Sequence, residues 1–127
     1  ELVDNLHQLI FGKEAPRLTL ENQMLWLVGS ENGSSVFGFC TLNDRGGGRG
    51  YLSRVGILPA YRGLGLYGRC ITVRKAKARR LGFHTLITDT ISPQVATSLI
   101  HRGFELYSPE RLWAFKHSYY LRCVFDS

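Results

Sequence analysis

No Cys-x-x-Cys pair occurs in the 127 residues, and the three cysteines, Cys40, Cys70 and Cys123, are widely spaced, odd in number and set in apolar stretches. That pattern excludes a disulfide framework and reads as buried thiols. The four histidines, His7, His84, His101 and His117, lack ligand spacing, so no metal site is expected. Long hydrophobic runs are also missing. The longest, such as residues 24–28, fall far short of the roughly twenty residues a membrane span needs, and no charged-then-apolar leader opens the sequence. The expectation is a soluble cytoplasmic protein with no membrane partner.

What is present suits one domain over residues 1–127, with 44% hydrophobic and 20% charged residues, an ordinary globular balance that excludes disorder. The net charge of +6 favours an acidic partner, which nucleic acid and a polyanionic cofactor satisfy equally. Charge alone does not separate them.

Leu2, Leu6, Leu9 and Ile10 recur at helical spacing, which predicts an amphipathic helix over residues 1–11, stopped by Gly12. Residues 24–28 and 35–42 read as strands joined by an Asn32-Gly33 turn. Residues 44–50, with Gly46-Gly47-Gly48 between Arg45 and Arg49, read as a loop rather than an RNA-binding Arg-Gly segment, and lead into a third antiparallel strand over 51–58. The main helix spans 66–81, its apolar face formed by Leu66, Tyr67, Cys70, Ile71, Val73, Ala78 and Leu81. Arg69, Arg74, Lys75, Lys77, Arg79 and Arg80 read first as its solvated face. A phosphate role for Arg69 or Arg74 ranks second, and a nucleic-acid stripe third. A strand over 84–90 follows, then a helix capped by Ser92-Pro93 and ended by Gly103. Strands over 104–107 and from 112 to 115 or beyond complete a mixed α/β, mostly antiparallel sheet flanked by helices.

Between the third strand and the main helix, Gly63, Gly65 and Gly68 are closely spaced. Such glycines let main-chain N–H groups converge on an anion at a helix N-terminus, a cradle suited to a diphosphate. They satisfy G-x-G-x-x-G, and Asp89 stands about twenty residues on, as a dinucleotide site would have it. However, Pro59, Ala60, Tyr61 and Arg62 intervene before the first glycine, and too little chain follows residue 90 to build the further βα units. Ile57-Leu58-Pro59 followed by Arg62, Gly65 and Tyr67 instead resembles the GNAT superfamily of N-acetyltransferases, whose signature is V/I-x-P and then R/Q-x-x-G-x-G/A opening a helix. Gly103-Phe104 is similar to the pair closing that family's next helix. The resemblance covers roughly residues 20 to 120. It implies a GNAT acyl-CoA N-acyltransferase fold whose first strand is lacking here, leaving an open sheet edge through which a homodimer could form.

The resemblance further implies acetyl-CoA as donor and an amine as acceptor: a small molecule, a peptide N-terminus or a protein lysine. Main-chain groups of Val55, Gly56 and Ile57 would meet the pantetheine arm, and Arg62, Gly63, Leu64, Gly65, Leu66 and Tyr67 the pyrophosphate. Tyr67 stands where the family has Gly or Ala, and Ser92 where an Asn helps hold the coenzyme. The family's base, a Glu just before V/I-x-P, is replaced by Tyr51, Leu52, Ser53 and Arg54. Its acid, a Tyr four residues before Gly103, is Leu99. A lysine-like amine of pKa about 10.4 is neutral in roughly one molecule in two thousand at pH 7, so a base is useful. Tyr107, Tyr119, Tyr120, His84 and Asp89 are substitutes, with Tyr107 the named catalytic candidate. The expected activity is N-acetyl transfer. The alternative is a catalytically degenerate domain that binds acetyl-CoA or a protein, and a nucleic-acid module ranks last.

Overall fold

The computed structural model describes residues 23–30 and 35–125. The helix expected over 1–11 and the Asn32-Gly33 turn lie outside the described residues. Strand β1 (Gln23–Gly29) pairs antiparallel with β2 (Val36–Gly46), and β2 with β3 (Arg49–Ile57). The loop expected over 44–50 is shorter than the glycine triplet suggested. The ladder continues through Asp44↔Gly50 and Gly46↔Arg49, leaving Gly47 and Gly48 as the turn. His84 holds that turn, its main-chain N–H donating to the Gly48 carbonyl at 2.8 Å.

A short 3-10 turn (Pro59–Tyr61) leads to helix α1 (Leu66–Arg80), which crosses back to β4 (Thr85–Thr90), the one strand paired parallel with its neighbour. Helix α2 (Pro93–His101) starts on Ser92, whose hydroxyl accepts the Val95 N–H at 3.3 Å as the sequence predicts. Strands β5 (Glu105–Leu106) and β6 (Tyr119–Val124) complete the order β1-β2-β3-β4-β6-β5. Residues 112–115 are not a strand. The place beside β4 is taken by β6, and Leu112 and Phe115 are exposed in the connection before it.

Leu52, Leu86 and Leu121 from the sheet pack against Ile71 and Ala78 of α1 and Ala96 and Leu99 of α2. The side chains alternating with them on β3 and β4, namely Tyr51, Ser53, Ile87 and Asp89, therefore belong to the opposite face. All three cysteines are buried, as expected.

The apolar face of α1 differs from its sequence reading. Val73 and Leu81 are 43% and 47% exposed, whereas Arg74 is 2% exposed. Arg74 lies in line with Cys70 and Ala78 at i±4 and donates to two carbonyls, Cys70 O at 3.0 Å and Thr41 O at 3.1 Å. It is thus neither solvated nor turned toward a phosphate. The Cys70 thiol is held below its ordinary value, against the effect of burial, by Cys40 packed against it and by the field of Arg74. Arg74→Ala leaves a cavity and removes both charged hydrogen bonds, an expected loss of about 3 kcal/mol in urea unfolding. Arg74→Met, which refills the volume, is expected to lose about 1 kcal/mol. In either variant the pH profile for Cys70 alkylation moves upward, because the thiolate has lost a cation.

Candidate active site

Gly63 and Gly65 adopt left-handed φ of 81° and 78°, and a Cβ on either would stand in open space. Gly65 is the N-cap of α1, and no side chain caps the helix. The first-turn N–H groups consequently lack an intrahelical partner and face a cavity of about 450 Å³ with the helix dipole behind them. Its walls include Val55, Gly56, Ile57, Arg62, Gly63, Gly65, Leu66 and Tyr67, eight of the ten residues that the sequence assigns to the donor. Leu64 is 66% exposed and outside the lining. Ser92 is also outside it, its hydroxyl occupied by the α2 cap and by Gln94.

Arg62 donates through Nε to the Ile57 carbonyl at 2.9 Å, which fixes its charged fork beside the glycines and removes that carbonyl from those open to a ligand. A second cation was not legible in the sequence. Arg102, at the end of α2, lies so close to Gly68 that any Cβ there would collide with its guanidinium. It donates from Nη1 to the Ser98 hydroxyl at 3.0 Å and lines the same cavity. The available signal was Gly68 itself, since a glycine inside a helix costs about 1 kcal/mol relative to alanine and calls for a close neighbour. Arg69 lines a separate cavity with Trp26 and Cys70.

Beyond the cradle the sheet opens. The β3–β4 ladder stops at Tyr51↔Ile87, so Val55–Ile57 receive no pairing from β4. A bulge sets the divergence. Cys40 pairs with Val55 and Leu42 with Leu52, leaving Thr41 opposite both Ser53 and Arg54. Thr41 Oγ1 accepts the Arg54 N–H at 2.9 Å and lies 2.6 Å from Ser53 Oγ. Ser53 is thereby tied to the bulge.

Between the diverging strands lies a slot of about 220 Å³. Tyr67, Ile71 and Leu99 line its helix side, and Ser53 and Asp89 its far side; Val55 and Tyr67 are shared with the cradle. Tyr67 packs on the core and is the one phenol lining the slot among the described residues. Burial pushes that phenol up, so it stays protonated. Asp89 is the only carboxylate in the slot lining among the described residues. Its Oδ1 accepts the Tyr51 hydroxyl at 2.6 Å and Trp113 Nε1 at 2.9 Å. Asp89 therefore does not cap a turn. Burial, and then Asp89, push the Tyr51 phenol up and keep it a donor. Tyr107 lies elsewhere, with the Arg122 guanidinium 4.8 Å from its ring, and it lines a fourth cavity. Tyr119 begins β6, Tyr120 bonds to Phe115 O, and the His84 ring lies 2.8 Å from Gly47 O.

The profile of the acetyltransferase (GNAT) family matches residues 4–104. The chain belongs to the GNAT family. GNAT structures also share its fold. A Klebsiella pneumoniae protein assigned as an acyl-CoA N-acyltransferase superposes with a TM-score of 0.68 at 23% identity, covering 97% of this chain and 83% of its own. A Bacillus subtilis acetyltransferase solved in complex with CoA gives 0.70 at 13%, with coverage of 84% and 79%. An Elizabethkingia anophelis GNAT acetyltransferase with acetyl-CoA bound gives 0.70 at 15%, covering 84% and 78%. No curated protein sequence matches significantly. Among the described residues no helix is long and apolar enough to cross a membrane, and no cluster of metal-ligating side chains forms.

Proposed function

We propose that this GNAT domain transfers an acetyl group from acetyl-CoA to a primary amine. The observation carrying the reading is the open seam between β3 and β4, which runs from a helix-end anion cradle to a carboxylate on the other face of the sheet. The bound acetyl-CoA and CoA in the Elizabethkingia and Bacillus relatives support the donor.

The residues fit that donor. Main-chain N–H groups at Gly65 and the first turn of α1 hold a pyrophosphate, and Arg62 and Arg102 bring positive charge. Open main-chain groups of Val55 and Gly56 pair with pantetheine amides, and an N–H there stabilises developing negative charge on the carbonyl oxygen. When bound, acetyl-CoA supplies a thioester whose C–S bond breaks as the amine forms the new C–N bond. Asp89, through its second oxygen, accepts the proton the amine loses, and Tyr67 returns one to the thiolate. The two side chains then exchange a proton through solvent, so the products are the acetamide and free thiol.

Calorimetry with acetyl-CoA, coenzyme A and NADH tests the donor. Micromolar acetyl-CoA binding without NADH binding is expected, followed by thiol release in the presence of amines. A folded protein that ignores acetyl-CoA would end the reading. Arg102→Gln is expected to weaken acetyl-CoA about tenfold, roughly 1.4 kcal/mol, and to flatten the salt dependence of binding.

A further inference from the structure

A cavity of about 640 Å³, larger than the cradle and the slot, lies on the Trp113 side of Asp89 and takes no part in the proposed transfer. Among the described residues its wall carries three arginines, Arg45, Arg49 and Arg111, against one carboxylate, Glu110, with Tyr107 and Trp113 completing much of the rest. Neither Arg49 nor Arg111 has a side-chain hydrogen-bond or ion-pair partner among the described residues. The Arg45 guanidinium lies 4.4 Å from the centroid of the Tyr51 ring, and the hydroxyl of that ring bonds to Asp89.

Asp89 joins the two spaces. It lines the slot, and the indole bonded to its Oδ1 lines the larger cavity. An amine placed against Asp89 and extending past Trp113 has its far end among the arginines. Ser53 and Arg49 are four residues apart, about 13 Å along a strand, a span suited to a small molecule with an amine at one end and an anion at the other. The walls are built in advance. Trp113 meets Tyr120 edge-on at 4.7 Å, and the Tyr120 hydroxyl donates to Phe115 O at 2.9 Å and accepts the Ala114 N–H at 3.2 Å.

We infer that this cavity binds the anionic end of the acceptor, and that the acceptor is a small amine carrying a carboxylate or a phosphate. Planar guanidinium forks match either anion bidentately. The excess of positive charge in the wall excludes polycationic amines. Calling the occupant an acceptor rests on the transferase reading above; the anion site itself does not.

The test uses Trp26→Phe protein, which leaves Trp113 as the only tryptophan. Its fluorescence is titrated without donor against two matched pairs: phosphoethanolamine with ethanolamine, and the dipeptide Ala-Glu with its fully amidated form. At least one anion-bearing member is expected to saturate at about tenfold lower concentration than its partner lacking the anion. Arg49→Gln with Arg111→Gln, both at exposed positions, should erase that difference while circular dichroism stays unchanged. Which pair responds distinguishes phosphate from carboxylate. The inference is overturned if both pairs titrate equally, if the double variant keeps the discrimination, or if only a single-stranded oligothymidylate changes the signal. Loss of acetyl-CoA binding with the Trp113 response intact would instead remove the transferase reading and leave the anion site standing.

Discussion

Gly65→Glu should reduce acetyl-CoA affinity by more than 100-fold while the protein remains folded. At φ 78° the added side chain has open space but an unfavourable backbone region, costing about 1–2 kcal/mol. A carboxylate at a helix N-terminus returns about 0.3–1 kcal/mol through the dipole, so net destabilisation is small. The binding penalty is larger. One negative charge about 5 Å from a phosphate at an effective dielectric near 20 repels it by about 3 kcal/mol, before any steric conflict. Gly65→Ala separates the contributions: it carries the backbone strain without the charge and should weaken binding only a few-fold. Calorimetry measures affinity and thermal denaturation the fold. Equal affinities for the Glu variant and the parent would remove the pyrophosphate from this helix end.

The second large effect is expected at Asp89. Asn preserves an oxygen for the Tyr51 and Trp113 donors but cannot accept a proton, so the aromatic walls stay in place while the proposed base is lost. Asp89→Asn should lower kcat/KM by about 100- to 1,000-fold, with acetyl-CoA affinity unchanged within about twofold. Its rate should climb steeply with pH toward the acceptor's own pKa, since only amine already neutral in solution can react. Asp89→Ala also orphans two partly buried donors and should destabilise the fold by about 1–3 kcal/mol. Measuring both variants separates proton transfer from architecture. An Asn variant turning over at the parental rate would show that Asp89 only braces Tyr51 and Trp113.

The glycine cradle and the Ser92 cap were legible because each follows from local backbone chemistry. Left-handed turns and helix starts restrict residue type at particular positions. Arg74 was not legible, since its burial depends on the carbonyl of Thr41, 33 residues away, and a charged residue among other basic ones reads as surface. Arg102 was hidden for a similar reason: only the approach of α2 to α1 gives Gly68 its purpose. Residues 112–115 have a strand's composition, yet Trp113 is drawn to Asp89 and the position beside β4 goes to β6, which buries Tyr120, Leu121 and Cys123 whereas Leu112 and Phe115 stay exposed. The V/I-x-P signature marked the end of β3 but not the bulge that steers it. A bulge needs two strands to define it, and neither strand alone announces one.

That bulge has a thermodynamic consequence. By parting β3 from β4 it leaves main-chain groups in the middle of the sheet without the neighbours a continuous ladder would supply. In the proposed function a pantetheine arm, itself a chain of amides, would act there as a surrogate strand, and closing the sheet would become part of binding. Folding and ligand occupancy are then linked: at a donor concentration 100 times Kd the folded state gains about 2.7 kcal/mol. The domain would be sturdiest where its donor is plentiful and easiest to unfold, and to degrade, where the donor is scarce.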